Sequence, residues 1–137
     1  MLQWKEEYSI GVPTIDQQHK HLFEIGNRIF DLLENYLYED KYDKIVMILK
    51  ELGEYTRYHF KAEEDYMLKI KYPKYFGQKV EHDDFIAKIE EVDLAEVDEN
   101  QDKHIRDLLT FVFNWILEHI LKKDMLIKEF EAARTLE

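Results

Sequence analysis

The side chains with the most distinctive placement in the sequence are four histidines, each on the apolar stripe of a different predicted helix: His19, His59, His82 and His119. A single buried histidine is more often a hydrogen-bonded structural residue than a ligand, because buried polar groups need partners. Four imidazoles facing one interior are a different case. Neutral imidazole binds divalent metals well, and facing helices of a bundle are a recurrent place for dinuclear sites. The pattern predicts a metal site.

A carboxylate accompanies one of these histidines at helical spacing. His59 and Glu63 are four residues apart, about 40° around a helix, so both side chains reach one point in the interior. A carboxylate on an apolar face is costly to desolvate unless it is paired or coordinated. Metal ligation is therefore favoured over the alternative that Glu63 belongs to a solvated acidic face. We assign the neighbouring Glu64 and Asp65 to that solvated face.

The second carboxylate, Asp124, stands in a less regular relation to its histidine. His119 and Asp124 are five residues apart, which an α-helix separates by about 140°. The pair can serve one site if the helix widens locally to π-type geometry, or if Asp124 reaches inward to bridge two metal ions. The alternative is that Asp124 is only a surface partner of Lys122 or Lys128. Spacing alone does not decide between these.

The helices that must carry these side chains follow from apolar periodicity. Both prolines and two of the four glycines, Gly11 and Gly77, lie near predicted starts or connections, which leaves long stretches of good helix formers. We predict an all-α, antiparallel up-down-up-down four-helix bundle in one domain, 1–137, with helices over about 17–38, 42–70, 74–92 and 103–132. Residues 1–15 form an ordered N-terminal arm, Asp16 is the predicted N-cap of the first helix, and the acidic stretch 93–102 is a connection.

Composition excludes several classes of function. Thirty acidic against 19 basic residues give a net charge of −11, which opposes nucleic acid and anionic lipid surfaces. The absence of cysteine excludes thiolate metal sites and iron–sulfur clusters, so His, Asp and Glu must hold any metal. No apolar run approaches the roughly 20 residues of a membrane helix, and the N-terminus lacks signal-peptide features. We expect a cytoplasmic protein with neither nucleic-acid nor membrane partners.

Together these motifs resemble the hemerythrins, and most closely the small stand-alone bacteriohemerythrins. The resemblance covers almost the whole chain and depends on Trp4, 8–12, 15–23, 59–64, Met67, 72–73, 82–85, 115–120 and Asp124. It implies a non-haem di-iron centre: two iron ions joined by an oxo or hydroxo group and by the carboxylates of Glu63 and Asp124. The terminal ligands would be His19, His59, His82 and His119. Dioxygen would bind the iron held by His19 and His59.

One position departs from the family pattern. Where the family has the first histidine of a His-x-x-x-His pair in the third helix, this chain has Gln78, and only His82 remains. Gln78 either supplies an amide oxygen, a weaker donor than imidazole, or leaves a water or an open position. Glu81 is not expected to substitute, because it points about 100° away from His82 around the helix.

Apolar side chains near the predicted ligands would wall a ligand pocket: Phe23, Phe60, Met67, Trp115 and Ile116. Such a lining excludes water and protons, which slows the loss of bound dioxygen as superoxide or peroxide. Each of these residues also suits ordinary core packing, and for most of them packing is the favoured interpretation.

The function predicted from the sequence is reversible binding of dioxygen, or another small diatomic or peroxide ligand, for storage, delivery or sensing. An alternative is a di-iron peroxide or oxygen reductase, favoured by an open position at Gln78 and served by an electron donor. A sensor would need a separate signalling partner. A third alternative is a metal-stabilised structural or metal-storage bundle that holds zinc or manganese.

Overall fold

A computed structural model describes residues 2–35 and 40–135. The helices are α1 (Pro13–Asn35), α2 (Tyr42–Lys69), α3 (Tyr75–Glu90), α4 (Leu94–Glu99), α5 (Gln101–Trp115) and α6 (Asp124–Thr135). A π-helical segment, Ile116–Lys123, joins α5 to α6, and a short 3₁₀ turn, Glu6–Tyr8, precedes α1. The described residues contain no β-strand. The predicted all-α bundle is confirmed.

The four long helical units are α1, α2, α3 and the continuous run from α5 through the π-helical segment to α6. The helix α1 packs against both α2 and α5, and α2 also packs against α3. The prediction for the first helix was wrong at its start, because α1 begins at Pro13, whose fixed φ suits a first helical turn. The predicted end of that helix, at about residue 38, lies outside the described residues.

Asp16 does not cap α1, as the sequence suggested, because it lies inside the first turn of that helix. Its carboxylate instead holds the N-terminal arm: it accepts hydrogen bonds from Ser9 Oγ at 2.5 Å and from the Ile10 amide at 2.9 Å. Farther along the arm, the ring of Trp4 meets that of Phe23 edge-on at 5.6 Å. The arm is therefore ordered against α1, as predicted.

The acidic stretch 93–102 is not a plain connection. It contains α4, because the Asp93 side chain caps that helix by accepting hydrogen bonds from the amides of Ala95 at 2.9 Å and Glu96 at 3.4 Å. The fourth long helix consequently starts at Gln101, close to the predicted residue 103.

The core consists of two apolar clusters. The larger one joins α1, α2, α3 and α5, and the smaller one comprises Met67, Ile70, Tyr72 and Ile127. Most of the buried polar side chains in the described residues belong to one group inside the bundle: Gln18, His19, His59, Glu63, Gln78, His82, His119 and Asp124. No helix in the described part of the chain is long and apolar enough to cross a membrane.

Replacing Asp16 by alanine should loosen the N-terminal arm, because the arm loses two hydrogen bonds to a charged acceptor. We expect the free energy of unfolding to fall by about 1–3 kcal/mol, measured by urea denaturation, with faster proteolysis within residues 1–12. Glu7→Ala, at an exposed position of the arm, is the control. A loss within about 0.5 kcal/mol, the range of ordinary surface substitutions, would contradict this role.

Candidate metal centre

All six side chains that the sequence nominated meet in the bundle interior, and none is more than 2% exposed. His19 comes from α1, His59 and Glu63 from α2, and His82 from α3. His119 comes from the π-helical segment, and Asp124 is the first residue of α6. The four long helical units thus each contribute an imidazole to one point.

The first half of the cluster surrounds His19 and His59. Glu63 Oε2 lies 3.4 Å from His19 Nε2 and 3.2 Å from His59 Nε2. Asp124 Oδ2 lies 3.2 Å from His19 Nε2. These four side chains present one ligand atom each within a sphere small enough to hold a metal ion. We call this set the first subsite.

The second half surrounds His82 and His119 and uses the other oxygen of each carboxylate. Glu63 Oε1 lies 3.1 Å from His82 Nε2 and 3.6 Å from His119 Nε2. Asp124 Oδ1 lies 3.3 Å from His119 Nε2, and the two Nε2 atoms are 3.0 Å apart. We call this set the second subsite. Each carboxylate therefore presents one oxygen to each pair of histidines.

These separations fit a pair of metal ions. Two donors at about 2.1 Å from one ion lie roughly 3.0 Å apart at an octahedral angle and roughly 3.4 Å apart at a tetrahedral one. Of the six buried side-chain atoms that lack hydrogen-bond partners within the described residues, four belong to this cluster: His19 Nδ1, His59 Nε2, Gln78 Oε1 and Asp124 Oδ2. Buried polar atoms are rarely left unpaired, so this cluster is suited to cations at its centre.

The π-helical segment explains the irregular spacing of His119 and Asp124. In π geometry the backbone bonds run from residue i to i+5, so side chains five apart fall on the same face. The predicted widening is therefore present, and Asp124 also reaches both subsites. The alternative that Asp124 is a surface partner of a lysine was wrong, because its carboxylate is fully buried.

Three side chains behind the histidines were not identified from the sequence. Gln18 Oε1 accepts from His59 Nδ1 at 2.7 Å, and Glu64 Oε2 accepts from His82 Nδ1 at 2.7 Å. Glu81 Oε2 accepts from His119 Nδ1 at 2.8 Å. When the imidazole is neutral, as it must be to bind metal, each bond favours the tautomer whose Nε2 lone pair points inward.

The assignment of Glu64 to a solvated face was wrong, since its side chain is only 14% exposed, whereas Asp65 is exposed and pairs with Lys61. Glu81, as expected, faces away from the centre and contacts His119 from behind. The sequence offered only a partial clue to Glu64 and Glu81. Glu64 directly follows Glu63, and Glu81 directly precedes His82.

Gln78 lies at the second subsite and is 4% exposed. Its Nε2 donates to Asp124 Oδ1 at 3.2 Å, while its Oε1 has no partner among the described residues. The side chain thus sits one helical turn before His82 and touches a carboxylate of the cluster.

The residues predicted to wall a ligand pocket are all in the interior or at its edge. Phe60 stacks on His82 with ring centroids 4.1 Å apart, and the half-buried Trp115 stacks on His119 at 4.3 Å. Ile116 and Phe23 belong to the larger core cluster, and Met67 to the smaller one. Their role toward a ligand stays a prediction.

The carboxylates control the protonation of the site when no metal is bound. Burial opposes a charged imidazole, but hydrogen bonds to Asp124 and Glu63 outweigh burial and raise the pKa of His19 to about 9. The negative charges of the same two residues likewise overcome burial and raise the pKa of His119 to about 9. Although burial works against it, the surrounding imidazoles hold the pKa of Glu63 well below its usual range. Protons thus compete with metal ions for the same atoms.

Metal loading should therefore release protons in a pH-dependent way. A pKa of about 9 keeps His19 and His119 protonated at neutral pH, and only neutral imidazole binds metal. We expect roughly two protons released per chain at about pH 7, falling toward zero as the pH rises past about 9. An indicator dye in weakly buffered, anaerobic solution measures the release on addition of ferrous iron. His104→Asn, outside the cluster, is the control, and release that does not change over this pH range would contradict the assignment.

Comparison with known proteins agrees with this geometry. The family model described as "Hemerythrin HHE cation binding domain" matches residues 10–130. A bacteriohemerythrin of Clostridium acetobutylicum is 51% identical over 124 residues, covering 90% of this chain and 96% of that protein. A bacteriohemerythrin of Stenotrophomonas maltophilia is 27% identical, covering 90% and 77%. A crystal structure of wild-type hemerythrin superimposes with a TM-score of 0.71 at 27% identity, covering 94% and 96%.

Proposed function

Because the chain belongs to the hemerythrin family, we propose that it is a non-haem di-iron protein that binds dioxygen reversibly. The observation that carries the proposal is the division of the buried cluster into two matched sets of donors. Glu63 and Asp124 each direct one carboxylate oxygen toward His19 and His59 and the other oxygen toward His82 and His119. A bound pair of ferrous ions would supply two electrons, which transfer to dioxygen when it binds and return to the irons when it dissociates.

In this proposal the protein holds the irons with six side chains. His19 and His59 would hold the first iron, His82 and His119 would hold the second, and Glu63 and Asp124 would supply one oxygen to each. Two buried carboxylates offset part of the charge of two divalent ions, which lowers the cost of placing that charge in the core. All six donors come from helical segments of the bundle, which hold their side chains toward its interior.

The apolar side chains around the cluster favour reversible binding of dioxygen. Phe60 and Trp115 cover the ring faces of His82 and His119, and their rings lie 5.2 Å apart. We propose that Phe23, Met67 and Ile116 wall the remaining space beside the irons. A wall without acidic hydrogens delivers no proton to a reduced ligand, so the ligand leaves as dioxygen more readily than as peroxide.

One observation favours the reductase alternative. Gln78 borders a surface depression that is also lined by Tyr72, Lys74 and Lys123. If the second iron has an open position at Gln78, water or peroxide could reach it from this depression. The stability of the oxygenated form therefore separates the two functions.

Reversible coloration tests the proposed function directly. We expect the anaerobic protein to take up two ferrous ions per chain, to develop a visible absorption band in air, and to lose that band under argon over repeated cycles. Asp124→Asn should weaken uptake, because the second bridging charge is lost. Fewer than two irons per chain would refute the site, a colourless protein that retains zinc would favour the structural role, and sustained peroxide consumption would favour the reductase.

Gln78→His tests the position that departs from the family pattern. An imidazole one turn before His82 should occupy an exchangeable position on the second iron and exclude water or peroxide from it. We expect the oxygenated form to last longer, measured as the decay of its visible band. Gln78→Leu removes the amide at similar size and is the matched control. An unchanged or shortened lifetime in the histidine variant would overturn this account of Gln78.

A further inference from the structure

Each subsite has two imidazoles and shares the two carboxylates, with the amide of Gln78 beside the second subsite, but the two subsites differ in what lies behind their imidazoles. In the second subsite, both imidazoles donate their Nδ1 protons to carboxylates, His82 to Glu64 and His119 to Glu81. In the first subsite, His59 donates to the neutral amide of Gln18. His19 Nδ1 is buried and has no hydrogen-bond partner among the described residues.

This difference changes the strength of the imidazoles as ligands. A carboxylate that accepts the Nδ1 proton draws it away from the ring, so electron density at Nε2 rises and the nitrogen binds a cation more strongly. A neutral amide that accepts the Nδ1 proton strengthens Nε2 as a ligand less. An imidazole whose Nδ1 has no partner is not strengthened in this way. By this measure the second subsite has two strengthened donors, and the first subsite has one weakly supported donor and one without support.

The second subsite is also the more rigidly arranged. The ring of His82 is stacked under Phe60 at an interplanar angle of 4°, and the ring of His119 under Trp115 at 17°. Both rings turn Nε2 toward the interior, and the two Nε2 atoms lie 3.0 Å apart, a separation that suits two donors to one cation. A metal ion that binds there meets two rings held by stacking on one side and by a carboxylate behind.

Two lysines contact the supporting carboxylates, Lys123 the carboxylate of Glu81 and Lys79 that of Glu64 at 3.6 Å. Their side chains are 50% and 40% exposed, so water screens their charges from the interior. They use the carboxylate oxygens that the histidines leave free. The lysines therefore hold Glu64 and Glu81 in position without removing the hydrogen bonds to the rings.

We propose that Glu64 and Glu81 are positioning residues that make the second subsite the tighter of the two, so that the first metal ion to enter the protein occupies it. This inference rests on the proposed di-metal site. The second subsite has no third imidazole, because residue 78 is glutamine, whose amide is a weaker donor. The supporting carboxylates of Glu64 and Glu81 compensate for this weaker donor.

The order of filling can be read with zinc, which binds nitrogen and oxygen donors and undergoes no redox change. Zinc chloride is added stepwise to the protein labelled with ¹⁵N at histidine, and ring-nitrogen NMR signals are followed to two equivalents. We expect the first equivalent to shift the Nε2 signals of His82 and His119, and the second to shift those of His19 and His59.

Charge-neutral variants isolate the role of the two carboxylates. Glu64→Gln and Glu81→Gln keep the size and an acceptor oxygen but remove the charge. Each should weaken zinc binding at the second subsite roughly 10- to 100-fold in a chelator competition, and erase the order of filling. Asp65→Asn loses the same charge beside Glu64 without touching a histidine, so it should retain the wild-type order. Gln18→Glu adds a carboxylate behind His59 and should tighten the first subsite.

The outcomes separate this inference from the proposed function. Binding of two zinc ions with the first at His19 and His59 would overturn the inference and leave the di-metal site standing. Glu64→Gln and Glu81→Gln variants that retain the wild-type order of filling, as Asp65→Asn should, would also overturn the inference. A protein that binds no zinc and no ferrous iron would overturn both. Melting of each metal-free variant within a few degrees of wild type shows that a change in order arises at the site.

Discussion

The structure depends on two carboxylates that have no contact with water. Glu63 and Asp124 are fully buried at the centre of the bundle, where an unpaired negative charge is far more costly than in solvent. Positive charge offsets much of that cost, and four imidazoles within 3.6 Å of the Glu63 oxygens supply it, either as imidazolium or as metal ligands. The core is thus arranged for cations, and its apolar clusters keep competing water away.

Local backbone geometry meets this requirement differently in different helices. In α2 the four-residue step from His59 to Glu63 is ordinary α-helical spacing. In the fourth long helix, five residues separate His119 from Asp124, and the π-helical segment brings both to the same face. In that segment, regular α-helical hydrogen bonding is interrupted next to the cluster. Such π-helical segments are frequent at functional sites.

Periodicity predicted the bundle and five of the six central side chains, because each is a polar residue on the apolar stripe of its own helix. Asp124 lies off the α-helical stripe of His119, and its assignment came from the resemblance to the hemerythrins. It did not predict Gln18, Glu64 or Glu81 as supporting groups, because their contacts depend on how neighbouring helices are rotated against each other. The start of α1 and the presence of α4 were missed for a local reason: Pro13 and Asp93 act as helix-starting residues that apolar spacing does not reveal.

The stacking of Trp115 on His119 gives the protein an internal optical probe. The sequence contains two tryptophans, and the other, Trp4, lies in the arm against Phe23. An absorbing metal ion bound to the imidazole that stacks on Trp115 would quench the fluorescence of that indole by energy transfer. Native fluorescence can therefore report occupancy and ligand exchange at the centre without an added label.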